Sequence, residues 1–117
     1  LLWSALDIYS STEDQQAIAE AYRVLADTYH TLGQDKRAES CYQKAIETFL
    51  RYGNQRSAAG AMLNKALTMK TENPAEARLL LERAREIFRQ LNDKIGEANV
   101  AINLFPLENK PVSVVLA

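Results

Sequence analysis

The stretch Ala19-Glu-Ala-Tyr-Arg-Val-Leu-Ala-Asp-Thr-Tyr-His-Thr-Leu-Gly33, followed by Gln34-Asp-Lys-Arg-Ala-Glu-Ser-Cys-Tyr-Gln-Lys-Ala45, decides the reading of the whole chain. Tyr22, Leu25, Ala26, Tyr29 and Leu32 recur at spacings of three and four, the signature of one face of a helix. Ala38, Tyr42, Ala45 and Phe49 repeat that pattern after the break. Gly33 stands where a helix must end on a residue that accepts φ > 0, and Asp35 can cap the helix that follows. Alternation of alanine with tyrosine has a packing meaning. The alanines let two antiparallel helices approach closely, and the rings fill the space between them.

The pattern repeats. Ala5-Leu-Asp-Ile-Tyr9 returns as Ala45-Ile-Glu-Thr-Phe49 and again as Ala84-Arg-Glu-Ile-Phe88. The same offsets carry Asp14 to Asn54 to Asp93 and Ala19 to Ala59 to Ala98, a period of 40 and then 39 residues. Agreement of four columns at both offsets makes this an internal repeat.

On Tyr22, Leu25, Ala26, Tyr29, Gly33, Ala38, Tyr42 and Ala45, the chain resembles the tetratricopeptide repeat family. The resemblance runs from residue 1 to about 105. Repeats of that family run about 34 residues, so the longer period here points to a long-helix variant. Leu50 takes the place of the family's closing proline, which implies a second helix that continues past the usual stop. The expected fold is all-α, a right-handed superhelix of antiparallel helix pairs. Residues 1–10 form the end of a partial repeat, 12–53 repeat one, 54–92 repeat two and 93–105 a further partial repeat. The first-residue Leu1 lies inside an apolar pattern already under way, and further residues are expected to have preceded it.

Helix boundaries follow from caps and breakers. A helix from Thr12 or Glu13 to Leu32 opens with Thr12 and Gln15 spaced as a capping box. The next spans 35–52 and closes at Gly53. A third covers 55–71 with Asn54 as its cap. Asn73-Pro74-Ala75-Glu76 opens a fourth, with cap, N1 proline and N3 glutamate, that runs to about Leu91. Asp93 caps a fifth, which Pro106 ends. Residues 106–117, with two prolines and the run Val-Ser-Val-Val-Leu-Ala, read as an extended or disordered tail. Between 62 and 69 two registers compete. One puts Met62, Lys65, Ala66 and Met69 on the core face, the other Leu63, Ala66 and Leu67. Burial of Leu63 is favoured over Lys65, because an unpaired ammonium is costly to bury.

Composition narrows the function. Fourteen Lys and Arg against fifteen Asp and Glu give a net charge of −1 in 117 residues. That balance argues against a nucleic-acid binder. No apolar run is long enough to span a membrane, and no signal-peptide pattern is present. Cys41 is the single cysteine. It excludes an internal disulfide and fits a reducing, cytoplasmic compartment. Catalysis finds no support: His30 has no nucleophile or acid partner legible in the sequence, no cluster has metal-ligand spacing, and Gly33, Gly53, Gly60 and Gly96 stand singly rather than in a phosphate loop. No cofactor is expected.

Stacked helix pairs make a curved surface instead. The resemblance implies that first helices line its concave side and receive a partner peptide or helix. Carried over position by position, the expected groove residues are Glu20, Arg23, Asp27, His30 and Thr31 of the first repeat. Ala58, Ala61, Lys65 and Thr68 follow from the second if the register that buries Leu63 holds, and Asn99, Ile102 and Asn103 from the third first-type helix. Asp27 stands where a carboxylate clamp of the family would want asparagine, so recognition of chaperone C-termini is not expected. The leading expectation is a non-catalytic protein-interaction module with a protein or peptide partner. A second is an assembly segment, a homo-oligomer or stacked scaffold joined through apolar repeat ends. A third is a helical sensor that holds a small molecule between helices.

Overall fold

A computed structural model describes residues 12–108. Among these residues the chain forms five helices and no strand. They are α1 (Thr12–Thr31), α2 (Asp35–Arg51), α3 (Gln55–Met69), α4 (Pro74–Gln90) and α5 (Lys94–Glu108). Each helix packs on the next in chain order, and α1 also meets α3 while α3 meets α5. Short turns force neighbours antiparallel, so the molecule is an α-solenoid of helix pairs.

Three of the four turns share one geometry. At the end of α1, Gln34 N donates to Tyr29 O at 2.8 Å and Gly33 N to His30 O at 3.0 Å. The end of α2 repeats this with Asn54 to Phe49 at 2.8 Å and Gly53 to Leu50 at 3.2 Å. The end of α4 does so with Asp93 to Phe88 at 2.9 Å and Asn92 to Arg89 at 3.0 Å. This nested pair is the Schellman motif, which needs a left-handed residue at its centre. Gly33, Gly53 and Asn92 supply it, with φ of 79°, 80° and 60°.

Two helix starts match their expected caps. Asn54 accepts from Ser57 N at 3.2 Å, and Asp93 Oδ1 accepts from Gly96 N at 3.0 Å. The Gly96 amide, with Arg56 as a further partner, holds the Asp93 carboxyl below the usual carboxylate range. Two starts differ. Asp35 is the first residue of α2 rather than its cap, Gln34 holds the cap position without a side-chain bond, and the Asp35 carboxylate faces His30 Nδ1 at 2.9 Å. Asn73 sits at the cap of α4 ahead of Pro74, yet its side chain makes no capping bond. The capping box on the Thr12 side chain lies outside the described residues, as do residues 1–11.

Pro106 does not end the last helix, which continues to Glu108. Proline fixes φ near the helical value, so it removes one hydrogen bond without redirecting the chain over the final turn. Leu107 then packs against the core. The start of the segment read as a tail is therefore helical, and the remainder beyond Glu108 lies outside the described residues.

The main core joins α3, α4 and α5 through Met62, Met69, Leu81, Phe88, Val100 and Leu104. Smaller clusters tie α1 to its neighbours through Ala19, Ala45, Phe49 and Ala58, and through Ala26, Ala38 and Tyr42. Tyr22 and Tyr29 pack on these clusters with Lys44 and Arg37 over their rings at 5.5 and 5.8 Å. Leu25 and Leu32, expected on the buried face, are exposed. The small alanines and the tyrosines make the contact with α2 instead.

The register of α3 resolves into a broad buried surface. Met62, Ala66 and Met69 are buried and Leu63 is half-buried against the core. Lys65 is half-buried too, and its ammonium donates to Gln43 Oε1 at 2.7 Å. A partner of that kind removes the penalty that argued against this position. Ala58, Ala61 and Thr68, expected to face the groove, are buried. The middle helix is enclosed by pairs on both sides, and its small residues are consumed in that packing.

Candidate functional site

The first-type helices α1, α3 and α5 lie side by side and leave a depression along their common face. Glu20 and Arg23 of α1 form one wall. Ser57, Gly60, Leu63 and Asn64 of α3 form the floor, and Phe88, Gly96 and Asn99 close the far side. Its volume is about 270 Å³.

A polar chain organises the α1 wall. Arg23 Nε donates to Glu20 Oε1 at 3.0 Å, and its Nη2 donates to the same oxygen. Its Nη1 donates to Asp27 Oδ2 at 2.8 Å. These spacings of three and four residues place all three side chains on one helix face. The Glu20 hydrogen bond, reinforced by both carboxylates, raises the guanidinium further above its usual range. Asp27 Oδ1 in turn accepts from the hydroxyl of buried Tyr42 on α2, with Thr68 of α3 beside the same hydroxyl. Burial, and then the bond to Asp27, push the Tyr42 phenol well above its ordinary range. The chain thus runs from the open wall into the contact of three helices.

The far wall depends on a missing side chain. A Cβ built on Gly96 would lie against the Phe88 ring, 2.6 Å from Cε1. Gly96 therefore lets the ring close the gap between α4 and α5. Gly60 is different. A Cβ there would meet nothing within 4 Å, so the space above it is open.

The structure gathers Glu20, Arg23 and Asn99 at this depression, with Asp27 behind Arg23. His30 is exposed at the end of α1 beside Asp35, and Thr31 Oγ1 donates to the Asp27 backbone carbonyl. Ile102 is 70 % exposed on α5 and Asn103 donates to the Asn99 carbonyl, both apart from the depression. Ala61 and Thr68 are buried. Lys65 lines a different hollow, of about 510 Å³, with Lys36, Gln43, Lys44, Glu47 and Glu76 of the second-type helices. Arg23 and Lys65 therefore do not share a surface.

Ser57, Gly60, Leu63, Asn64, Phe88 and Gly96 are the lining residues absent from the expected set. The repeat period carries the signal for several of them. Forty residues after Glu20 and Arg23 stand Gly60 and Leu63, and thirty-nine after Ser57 and Gly60 stand Gly96 and Asn99. The offset that located the repeats therefore also relates lining residues of this depression on α1, α3 and α5.

Among the described residues no group of three His, Cys, Asp or Glu is placed to hold a metal ion. Among them also no helix is long and apolar enough to cross a membrane. The fold and its open face define a helical-repeat protein built around a surface. A family model described as soluble NSF attachment protein, SNAP, matches residues 2–104, and the chain belongs to that family. This is a family of helical protein-interaction adaptors, not of enzymes. The resemblance to tetratricopeptide repeats holds at the coarser level of an α-solenoid of helix pairs. No curated protein and no solved structure matches the chain.

Proposed function

We propose that this chain is a non-catalytic adaptor segment whose groove between α1, α3 and α5 receives a peptide or helix of a protein partner. One observation carries the reading: three consecutive first-type helices contribute side chains to one continuous open depression. Helix-in-groove recognition uses a surface of this form. The family's name, attachment protein for NSF, supports a protein rather than a small molecule as partner. In this reading residues 1–105 form one tetratricopeptide-like unit, with repeats at 12–53 and 54–92, acting in the cytoplasm.

The test is a pull-down with the 117-residue chain beside its Leu63→Glu and Lys65→Glu variants. A partner retained by the parent chain and by Lys65→Glu, but lost from Leu63→Glu with helicity unchanged, supports the groove. Retention by Leu63→Glu and loss from Lys65→Glu would move the site to the opposite face. A second reading has its own observation. Ile95, Ile102 and Phe105 of α5 are 77, 70 and 64 % exposed. Such a row favours association of this end with another helix pair, and it predicts concentration-dependent dimers in sedimentation equilibrium. A strict monomer would remove it.

A further inference from the structure

We propose that the groove takes a partner segment presenting a bulky apolar side chain over Gly60 with a cationic side chain beside it, directed to Glu20. This rests on the groove reading above and specifies the chemistry of what enters.

The apolar anchor follows from Gly60. Glycine is the poorest helix former after proline, and inside a helix it needs a reason. Crowding supplies that reason at Gly96, where the Phe88 ring occupies the space of a Cβ. At Gly60 no described residue comes within 4 Å of the place a Cβ would take, so the space above the half-buried backbone is open. Leu63 and the Phe88 ring flank it with apolar surface. The depression, about 270 Å³, falls below the roughly 300–1,000 Å³ of small-molecule pockets, which suits one inserted side chain. A few anchors seated in such hollows, aromatic ones above all, carry most of the affinity of a protein interface.

The cationic neighbour follows from the wall. Arg23 looks like an anion receptor but is committed. Its Nε, Nη1 and Nη2 all donate to Glu20 and Asp27. Asp27 is committed as well, with one oxygen on Arg23 and the other on the Tyr42 hydroxyl. Glu20 alone retains capacity. Both bonds from Arg23 fall on Oε1, the side chain is 48 % exposed, and Oε2 has no hydrogen bond to a described residue. One guanidinium against two carboxylates leaves the wall with an excess negative charge. The other polar lining groups, Ser57, Asn64 and Asn99, are neutral. Arg56 pairs with Asp93, and Glu97 pairs with Arg89 through Oε1. The buried Glu97 Oε2 has no hydrogen bond to a described residue and lies 3.9 Å from Lys94 Nζ. The nearby cations are thus all set against carboxylates. A carboxylate entering here would meet Glu20 and would have to detach Arg23, whereas an ammonium or guanidinium meets a free acceptor.

Two small probes separate the parts of this proposal: tryptamine, an indole with an ammonium, and indole-3-acetate, an indole with a carboxylate. Each is titrated into the isotope-labelled 117-residue chain while the backbone amides are followed by NMR. With four glycines in the chain, the Gly60 and Gly96 signals are readily resolved. Tryptamine is expected to shift both, and to bind about fivefold more tightly than indole-3-acetate, the scale of one exposed ion pair. Glu20→Gln is expected to erase that preference while the indole shifts at Gly60 persist. Gly60→Leu, which fills open space, is expected to abolish both titrations. Equal affinity, or tighter binding of the acid, would overturn the cationic partner and leave the groove reading in place. Shifts elsewhere only, or undiminished binding to Gly60→Leu, would overturn the anchor. The groove reading itself stands or falls on the pull-down with Leu63→Glu.

Discussion

Glycine does three different jobs at four positions, and single substitutions separate them. Gly33 and Gly53 hold positive φ, where a Cβ is strained whatever the space around it. Gly33→Ala is therefore expected to lower stability by about 1 kcal/mol. Gly60 has helical surroundings and open space, so Gly60→Ala should raise stability by about 0.5–1 kcal/mol. Gly96→Ala must push the Phe88 ring from the core, at a cost of about 1–3 kcal/mol. Urea denaturation of the three variants measures all of these signs. In the sequence the four glycines looked alike as scattered single residues. Position at the end of an amphipathic pattern identified Gly33 and Gly53, while Gly60 and Gly96 differ only through neighbours that are remote in the chain.

Tyr42 is the other residue with a definite signature. Its phenol stays protonated in the fold because burial and the bond to Asp27 both favour the neutral form. In the unfolded chain a phenol ionises near about pH 10. A pKa raised by folding contributes stability that is fully present below that value and is lost as pH rises toward the folded one. Stability should therefore decline above about pH 10 in the parent chain, and the decline should be smaller in Tyr42→Phe. At neutral pH Tyr42→Phe should cost about 1–3 kcal/mol, since Asp27 loses a buried donor. Denaturation series of the two proteins across alkaline pH check both statements. The sequence placed Tyr42 on a buried face, but nothing in its spacing named Asp27 as partner.

At the scale of the element, most helix ends were legible, while the buried faces of α1 and α3 were legible only in part. Caps and left-handed residues act locally, so Asn54, Gly53 and Asp93 could be placed from their neighbours alone. Asn54 does more than cap α3, because its amide nitrogen also donates to Gln16 Oε1 of α1 at 2.9 Å. Asn54→Ala is expected to cost about 1 kcal/mol through the cap. Hydrogen exchange should show the loss first at the amides of Ser57 and Ala58. The outer helices α2 and α4 have one buried stripe each and were read correctly from their period. By contrast, α3 lies between two helix pairs and buries residues on several sides, from Ala58 and Ala59 to Thr68 and Met69. A helix apolar around most of its girth has weak periodicity, so two registers fitted it equally well. Pro106 misled for another reason: it lies inside the last turn, with only two helical residues after it.

Over the whole molecule the repeat period was the informative quantity. It fixed an α-solenoid before any contact was known, and it aligned the positions that meet at the groove. The groove itself is a property of three helices together. Its depth at Gly60, the commitment of Arg23 to Glu20 and Asp27, and the removal of Lys65 to the opposite face all depend on packing across the pairs. A binding surface carried over residue by residue inherits any error in register. Of the positions carried over, Glu20 and Arg23 line the depression between α1, α3 and α5, whereas Ala61 and Thr68 are buried and Lys65 lines a different hollow.

The central claim is that the face made by α1, α3 and α5 is the one a protein partner covers. Amide hydrogen exchange of the chain, free and bound to the partner recovered in the pull-down, tests this most directly. Added protection is expected around Glu20–Arg23, Gly60–Asn64 and Gly96–Asn99, with the outer surfaces of α2 and α4 unchanged. Protection confined to α2 and α4, around Gln43 and Glu76 beside Lys65, would contradict it.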